Sequence, residues 1–319
     1  MYGRSSTYNT LQVKESGRQD RFCPMITARD LSKAYGKATV LSGISFDLEE
    51  GRILGVIGHN GAGKTTLLKI LAGLIEPSGG HLTIDGKDVL HDPDGVRQKI
   101  GYLPEESRLY ETMKVNDYLS FFGEIYGMDR STIRARSREL LDWLALEDNG
   151  KKIGEFSKGM KRKAAIARSL IHDPSVLVYD EATSGLDPMT SRHIIDLMRD
   201  LRSRGKTIVL SAHNLYQVEA ICDQILILRR GERVALGTIA ELREMFGSVY
   251  YTVYFTISDP GRLESIGDFS REGGYMRVCA PSVGEMNRIT QEIVAAGGTV
   301  ERVESHYPSL EEMLVKIGA

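Results

Sequence analysis

Gly58-His59-Asn60-Gly61-Ala62-Gly63-Lys64-Thr65-Thr66 is the stretch whose residue types and spacing could do chemistry. A glycine, four residues, then Gly-Lys-Thr is the spacing of a phosphate-binding loop. The preceding Arg52-Ile53-Leu54-Gly55-Val56-Ile57 is apolar and β-branched and reads as a buried strand. The following Leu67-Leu68-Lys69-Ile70-Leu71 reads as the first turns of a helix. A strand feeding a glycine loop that opens a helix aims backbone N–H groups and the positive end of the helix dipole at one point. An anionic phosphate is what such a point binds. Lys64 adds a mobile positive charge for the β- and γ-phosphates, and the Thr65 hydroxyl can complete the coordination of Mg²⁺.

A second stretch carries acids. Val176-Leu177-Val178-Tyr179-Asp180-Glu181 is an apolar strand that ends in two adjacent carboxylates. Asp180 at the strand end can hold Mg²⁺. Glu181, one residue on, points elsewhere and can take a proton from an attacking water.

These residues need elements to position them. Short strands are expected around 25–29, 44–49, 52–57, 81–85 and 99–103, some separated by turn signals such as Glu50-Gly51 and Asp85-Gly86. From about 105 to 172 the pattern turns helical: Val115, Leu119, Phe122 and Tyr126 recur at spacings of three and four, then Ile133, Leu140, Leu141 and Leu144. Helices at 189–204 and 214–223 flank a strand at 207–211. Strands alternating with helices argue for a mainly parallel sheet with helices on its faces. Ligands bind such sheets at the carboxyl ends of the strands, where the glycine loop also falls.

A composition break near Phe246-Gly247-Ser248 restarts the order. Strands at 249–257, 275–279 and 299–305 and helices at 260–266, 283–296 and 309–317 predict a small α+β domain over 247–319. It carries no chemical motif, and a docking or dimerisation module is the simplest reading. Residues 1–24 read as a disordered extension without the apolar core of a secretory signal, and Met25 could be the translation start.

Beyond Glu181 the chain continues Ala182-Thr183-Ser184-Gly185-Leu186-Asp187-Pro188. After such a strand, this resembles the D-loop of ABC-type ATPases, and the phosphate loop resembles theirs as well. The resemblance covers about Met25 to Gly237. It implies an α/β fold, a P-loop NTPase of ABC type. That fold has a mixed, mainly parallel sheet, an antiparallel β subdomain and a helical subdomain at about 105–172, within an ATPase domain of 25–246. It implies ATP and Mg²⁺, and nucleotide contacts from Gly58, His59, Asn60, Gly61, Ala62, Gly63, Lys64, Thr65 and Thr66. Tyr35 matches the aromatic that stacks on adenine. Ser157 and Gly159, in Phe156-Ser157-Lys158-Gly159-Met160, match the family's signature segment, which reaches the γ-phosphate held by the opposite subunit. Lys158 and Met160 depart from the strict form. His213 matches the switch histidine that hydrogen-bonds the γ-phosphate. The sharpest departure is Glu105, where the family has a glutamine near Mg²⁺. A carboxylate there can still coordinate the ion, but it lies close to Asp180 and Glu181, and three acids around one divalent ion raise at least one pKa. Lys161-Arg162-Lys163 reads as a solvated helix face.

Bulk properties narrow the function. The chain has 319 residues, room for about two domains. A net charge of −2 gives no electrostatic case for nucleic acid, and no apolar run approaches the ~18 residues that cross a bilayer. Cys23, Cys222 and Cys279 lack any metal-ligand spacing and fit a reduced, cytosolic compartment. The resemblance then implies an ATPase subunit of an ABC transporter, more of exporter type. Its partners would be a second copy or a paralogous ATPase chain, closed head to tail over ATP, and a separate membrane permease that holds it at the inner face of the membrane. The competing reading is a soluble ABC-type mechanical ATPase acting on nucleic acid or ribosomes; one phosphate loop and no sustained heptads argue against it. A nucleotide-binding regulator with little turnover rests on Glu105 alone.

Overall fold

A computed structural model describes residues 24–246, 249–263 and 266–318. The expected N-terminal extension, Pro24 apart, and the Gly247-Ser248 break lie outside the described residues. The chain opens with antiparallel strands β1 (Ile26–Tyr35) and β2 (Ala38–Leu48). Then β3 (Ile53–Ile57) leads through the glycine loop into α1 (Lys64–Leu71). Strands β4 (Gly79–Ile84) and β5 (Lys87–Asp88), a short α2 (Pro93–Arg97) and β6 (Ile100–Leu103) follow. Helices α3 (Val115–Ile125), α4 (Arg130–Trp143) and α5 (Lys158–Leu170) form a helical lobe, and β7 (Val176–Asp180) returns to the main sheet. Next come α6 (Pro188–Ser203), β8 (Thr207–Ser211), α7 (Leu215–Ile221), β9 (Gln224–Arg229), β10 (Glu232–Gly237) and α8 (Ile239–Phe246).

The main sheet has the order β10-β9-β3-β8-β7-β6, parallel except for the β10 edge. Every residue of β3, β7 and β8 is buried. That is why the three read as unbroken apolar runs: a parallel strand covered on both faces has no polar face to show. The two faces feed different cores. Val176 and Val178 join α1 and the antiparallel sheet β2-β1-β4-β5. Leu177 and Tyr179 join α3, α5 and α6. Helix starts are marked in the sequence. Asp129, Ser157 and Asp187 each accept a backbone N–H of the first turn they precede, and Pro188 sits where no N–H is needed.

Beyond α8, β11 (Tyr250–Thr256), β12 (Phe269–Glu272), β13 (Tyr275–Ala280) and β14 (Thr299–His306) form an antiparallel sheet of order β12-β13-β11-β14. One face packs on α9 (Val283–Ala295) through Val253, Phe255, Val278, Ile289 and Ile293. The helix expected at 260–266 is a single 3₁₀ turn at Pro260–Arg262, with Asp259 accepting from the Gly261 N–H. Strand β12 was not expected; three of its four residues are exposed, which leaves it little apolar periodicity.

The last helix, α10 (Leu310–Ile317), leaves that sheet and packs on α7 and α8. Leu310 and Met313 are fully buried in the core between the main sheet and its helices. The Leu310 N–H donates to the Glu219 carboxylate at 2.6 Å, and Arg229 donates to the Ile317 carbonyl at 2.8 Å. Met313→Ala is expected to destabilise the chain by about 2–4 kcal/mol through the cavity it leaves. Exposed Val315→Ala is the control, and an unchanged urea midpoint for Met313→Ala would show that this helix is not held by its buried face.

Candidate functional site

Four parallel strands deliver the site. The glycine loop follows β3, Glu105 follows β6, Asp180 ends β7, and His213 follows β8. Asn60, Gly61, Gly63, Lys64, Thr65, Thr66, Glu105, Asp180, Glu181, His213 and Val40 line one cavity of about 380 Å³. Expected residues from distant parts of the chain thus come together.

The loop is shaped by glycines. Gly58, Gly61 and Gly63 have φ of 150°, 79° and 104°, a region that side chains with Cβ rarely adopt. Space is also short: a Cβ on Gly58 would stand 2.2 Å from the Leu228 carbonyl oxygen, and one on Gly63 2.6 Å from Leu41. Gly63 caps α1 with no side-chain acceptor, so the first-turn N–H groups of the helix stay available to a ligand. The Ala62 N–H is used within the loop, donating to the His59 carbonyl at 3.1 Å. Lys64 is buried and donates to the carbonyls of Gly58 at 2.7 Å and His59 at 3.2 Å. Burial lowers its pKa from the ordinary lysine value, and Glu181, Asp180 and Glu105 oppose that shift.

Asp180 and Glu181 are both buried. The Ser211 hydroxyl bridges them: it donates to Asp180 and accepts the Glu181 N–H at 3.1 Å. Glu181 sits at φ 51°, in the left-handed region. Its Oε2 accepts the His213 backbone N–H at 3.2 Å, and its Oε1 lies 3.2 Å from His213 Nε2. Burial raises the Glu181 pKa above the ordinary carboxylate value, with a smaller push from Asp180 and opposition from His213 and Lys64. Glu105 is exposed at the cavity rim.

Other expected residues lie apart. Tyr35 ends β1, is 52% exposed, and carries the Lys33 ammonium 5.1 Å from its ring centre. Ser157 is exposed as the cap of α5, its hydroxyl accepting the Met160 N–H at 3.2 Å, and neither Ser157 nor Gly159 lines the cavity. A Cβ on Gly159 would press on Thr190 at 3.3 Å, so the signature turn sits tightly on the start of α6.

Arg162 corrects the sequence reading. It is not on a solvated face but 7% exposed. Its guanidinium donates to the carbonyls of Ala182 at 2.8 Å, Glu181 at 2.8 Å, Asp180 at 2.9 Å, Pro104 at 2.6 Å and Glu105 at 3.0 Å. Burial pushes its pKa down to about 10 against the pull of Tyr179, Asp180, Glu105 and Glu181. The signal was there: Arg162, Ile166 and Ser169 fall on one helical stripe, and all three are buried. Ser211 was also missed, because a serine ending an apolar strand looks like any strand terminus.

A family profile described as "ABC transporter" matches residues 41–184. The chain is 38% identical over 224 residues to the linearmycin resistance ATP-binding protein LnrL of Bacillus subtilis, covering 70% of this chain and 72% of that protein. It is 37% identical to the Nod factor export ATP-binding protein I of Ralstonia nicotianae over 69% of this chain and 68% of that one. A solved ATP-binding cassette, dimeric in a post-hydrolysis state bound to ADP and Pi, superposes with a TM-score of 0.62 at 26% identity, covering 67% of this chain and 99% of the cassette. A cavity built on a glycine loop and two buried acids, on this fold and with these relatives, has one family to which it belongs: the chain is a member of the ABC transporter ATP-binding proteins, a nucleotide-binding ATPase subunit that energises transport.

Proposed function

We propose that two copies of the chain, or this chain and a paralogous one, close head to tail over two ATP molecules and thereby drive a separate membrane permease. One observation carries the reading. The cavity gathers the phosphate loop, Lys64, Glu181 and His213, while Ser157 and Gly159 stand outside it at the start of α5. A helix start with free N–H groups and a hydroxyl suits a phosphate, and a second chain can bring it there. A solved relative is dimeric, which supports a site made by two chains.

In this reading the loop from Gly58 to Thr66 and Lys64 hold the phosphates, and Tyr35 stacks on adenine. Thr65, Asp180 and Glu105 would hold Mg²⁺, which would supply neutralisation of phosphate charge. No group of three or more metal-binding side chains occurs among the described residues; a Mg²⁺ shared with phosphates needs only one or two carboxylates. Glu181 receives the proton of the attacking water, and His213 steadies the γ-phosphate. Phosphoryl transfer depends on positioning and charge neutralisation, so a site split across an interface can be switched by closure.

Among the described residues no helix is long and apolar enough to cross a membrane. The permease then docks on the helical lobe, at the inner, cytoplasmic face of the membrane. Tyr110, 49% exposed, and Phe121, 40% exposed, stack edge to face at 5.6 Å beside exposed Ile125. Such an apolar patch suits a protein interface. Export is the direction carried by the name of the Nod factor relative. Phe121→Glu is expected to abolish permease-stimulated turnover at least ~10-fold, a hot-spot loss of over 1 kcal/mol, while the isolated chain keeps its basal rate. Equal stimulation of both proteins would move the docking surface elsewhere.

The direct test incubates tagged Glu181→Gln protein with ATP and detergent-solubilised membranes of the source cell and identifies what is recovered. A multi-spanning membrane protein in near-equal amount is expected. A ribosomal or nucleic-acid partner without a membrane protein would overturn the transporter arrangement.

A further inference from the structure

Arg162 joins parts of the site that are remote in sequence. In an extended strand successive carbonyls point to opposite sides. Those of Asp180, Glu181 and Ala182 instead converge on one guanidinium, within 2.8–2.9 Å. The chain achieves this by leaving β7 through the left-handed conformation of Glu181 at φ 51°. That conformation is disfavoured for a residue with a Cβ and persists only where the surroundings hold it. Here Ser211 holds the Glu181 N–H on one side and Arg162 holds the carbonyl on the other. The same guanidinium takes the carbonyls of Pro104 and Glu105 and reaches the Ser107 hydroxyl at 3.3 Å. Its fork therefore ties the Glu181 turn to the Glu105 loop. Both are tied to α5, whose first turn is capped by Ser157.

We propose that Arg162 is a positioning residue for ATP hydrolysis, holding Glu181 in its left-handed turn and the Glu105 loop against it, so that both follow movements of the helix that carries Ser157. The proposal rests on the reading of Glu181 as the base. A lysine would keep the charge but not the planar fork, which is what reaches five carbonyls at once. Arg162 acts through other groups: it bonds the backbone of Asp180, Glu181 and Glu105 but does not itself line the cavity.

The test uses the full chain and measures kcat, ATP affinity and thermal midpoint for Arg162→Lys, Arg162→Gln, Glu181→Gln and the Arg162→Lys/Glu181→Gln pair. Arg162→Lys is expected to lower kcat about 10²-fold, the size of effect a small misplacement of a catalytic group produces. ATP affinity should stay within about threefold of wild type, because the phosphate loop is untouched. The pair should be no slower than Glu181→Gln alone, since two residues acting through one step are not additive. A normal kcat in Arg162→Lys, or additive losses in the pair, would overturn the proposal. So would a parallel fall in affinity and midpoint, or failure of both Arg162 variants to fold, each of which assigns Arg162 to the scaffold. A slow Glu181→Gln beside a normal Arg162→Lys would sink this inference alone. Unchanged turnover in Glu181→Gln would sink the reading of Glu181 beneath it.

Discussion

Replacing Glu181 by Gln is expected to slow ATP turnover by at least ~10²-fold, the lower range for a lost general base, with ATP binding intact. The amide keeps the size of the carboxylate and can still accept the His213 N–H, so the turn at φ 51° should survive. What it cannot do is take a proton. ATP binding should then close the dimer and leave it closed, visible as a doubling of mass in size exclusion with ATP and not with ADP. The pH dependence has a fixed sign. Burial raises the Glu181 pKa, so ionised base is lost as pH falls through a value above the ordinary carboxylate range. Wild-type kcat should therefore decline on the acid side earlier than an exposed glutamate would dictate, and that limb should vanish in Glu181→Gln. An unchanged rate, or an acid limb that persists in the variant, would remove Glu181 from the role of base.

The parts of this site legible in the sequence share one property: they are local. The phosphate loop needs nine consecutive residues between a strand and a helix, and Asp180 and Glu181 need only to end an apolar run. Buried parallel strands declare themselves because both faces are covered, as at Ile53–Ile57 and Val176–Asp180. What stayed hidden depends on tertiary placement. Arg162 is one of three successive cations; it shares a helical stripe with Ile166 and Ser169, but its five carbonyl partners lie on segments that only the fold brings to α5. The β9–β10 hairpin is missing from the sequence reading although Arg230-Gly231 is a turn signal. Helix α10 was expected where it lies, but its seat against α7 and α8 follows from Glu219 and Arg243, more than sixty residues upstream. No spacing rule reaches that far.

Replacing Lys64 by Ala is expected to abolish tight ATP binding. In the proposed site Lys64 is the loop's cation for the β- and γ-phosphates, and each charge-assisted hydrogen bond it would make is worth about 1.5–3 kcal/mol. Two such bonds correspond to a rise in Kd of more than ~10²-fold at 1.4 kcal/mol per decade. The free protein already holds the ammonium close to that task. Lys64 spans the Gly58 and His59 carbonyls at 2.7 and 3.2 Å, inside the loop and not out in solvent. Its lowered pKa reports the burial that a phosphate would relieve by charge pairing. Binding therefore exchanges neutral carbonyl partners for charged ones, and the gain depends on a cation at this position. The backbone cradle is left intact in the variant, because the glycines that shape it are elsewhere in the loop. The contrast between charge and cradle can be measured by equilibrium titration with labelled ATP and with labelled adenosine. Adenosine carries no phosphate, so if Tyr35 stacks on adenine as proposed, its weak binding should be the same in wild type and Lys64→Ala. Retained ATP affinity in Lys64→Ala would assign phosphate binding to the backbone N–H groups alone. A parallel loss for adenosine would mean that the substitution had collapsed the loop.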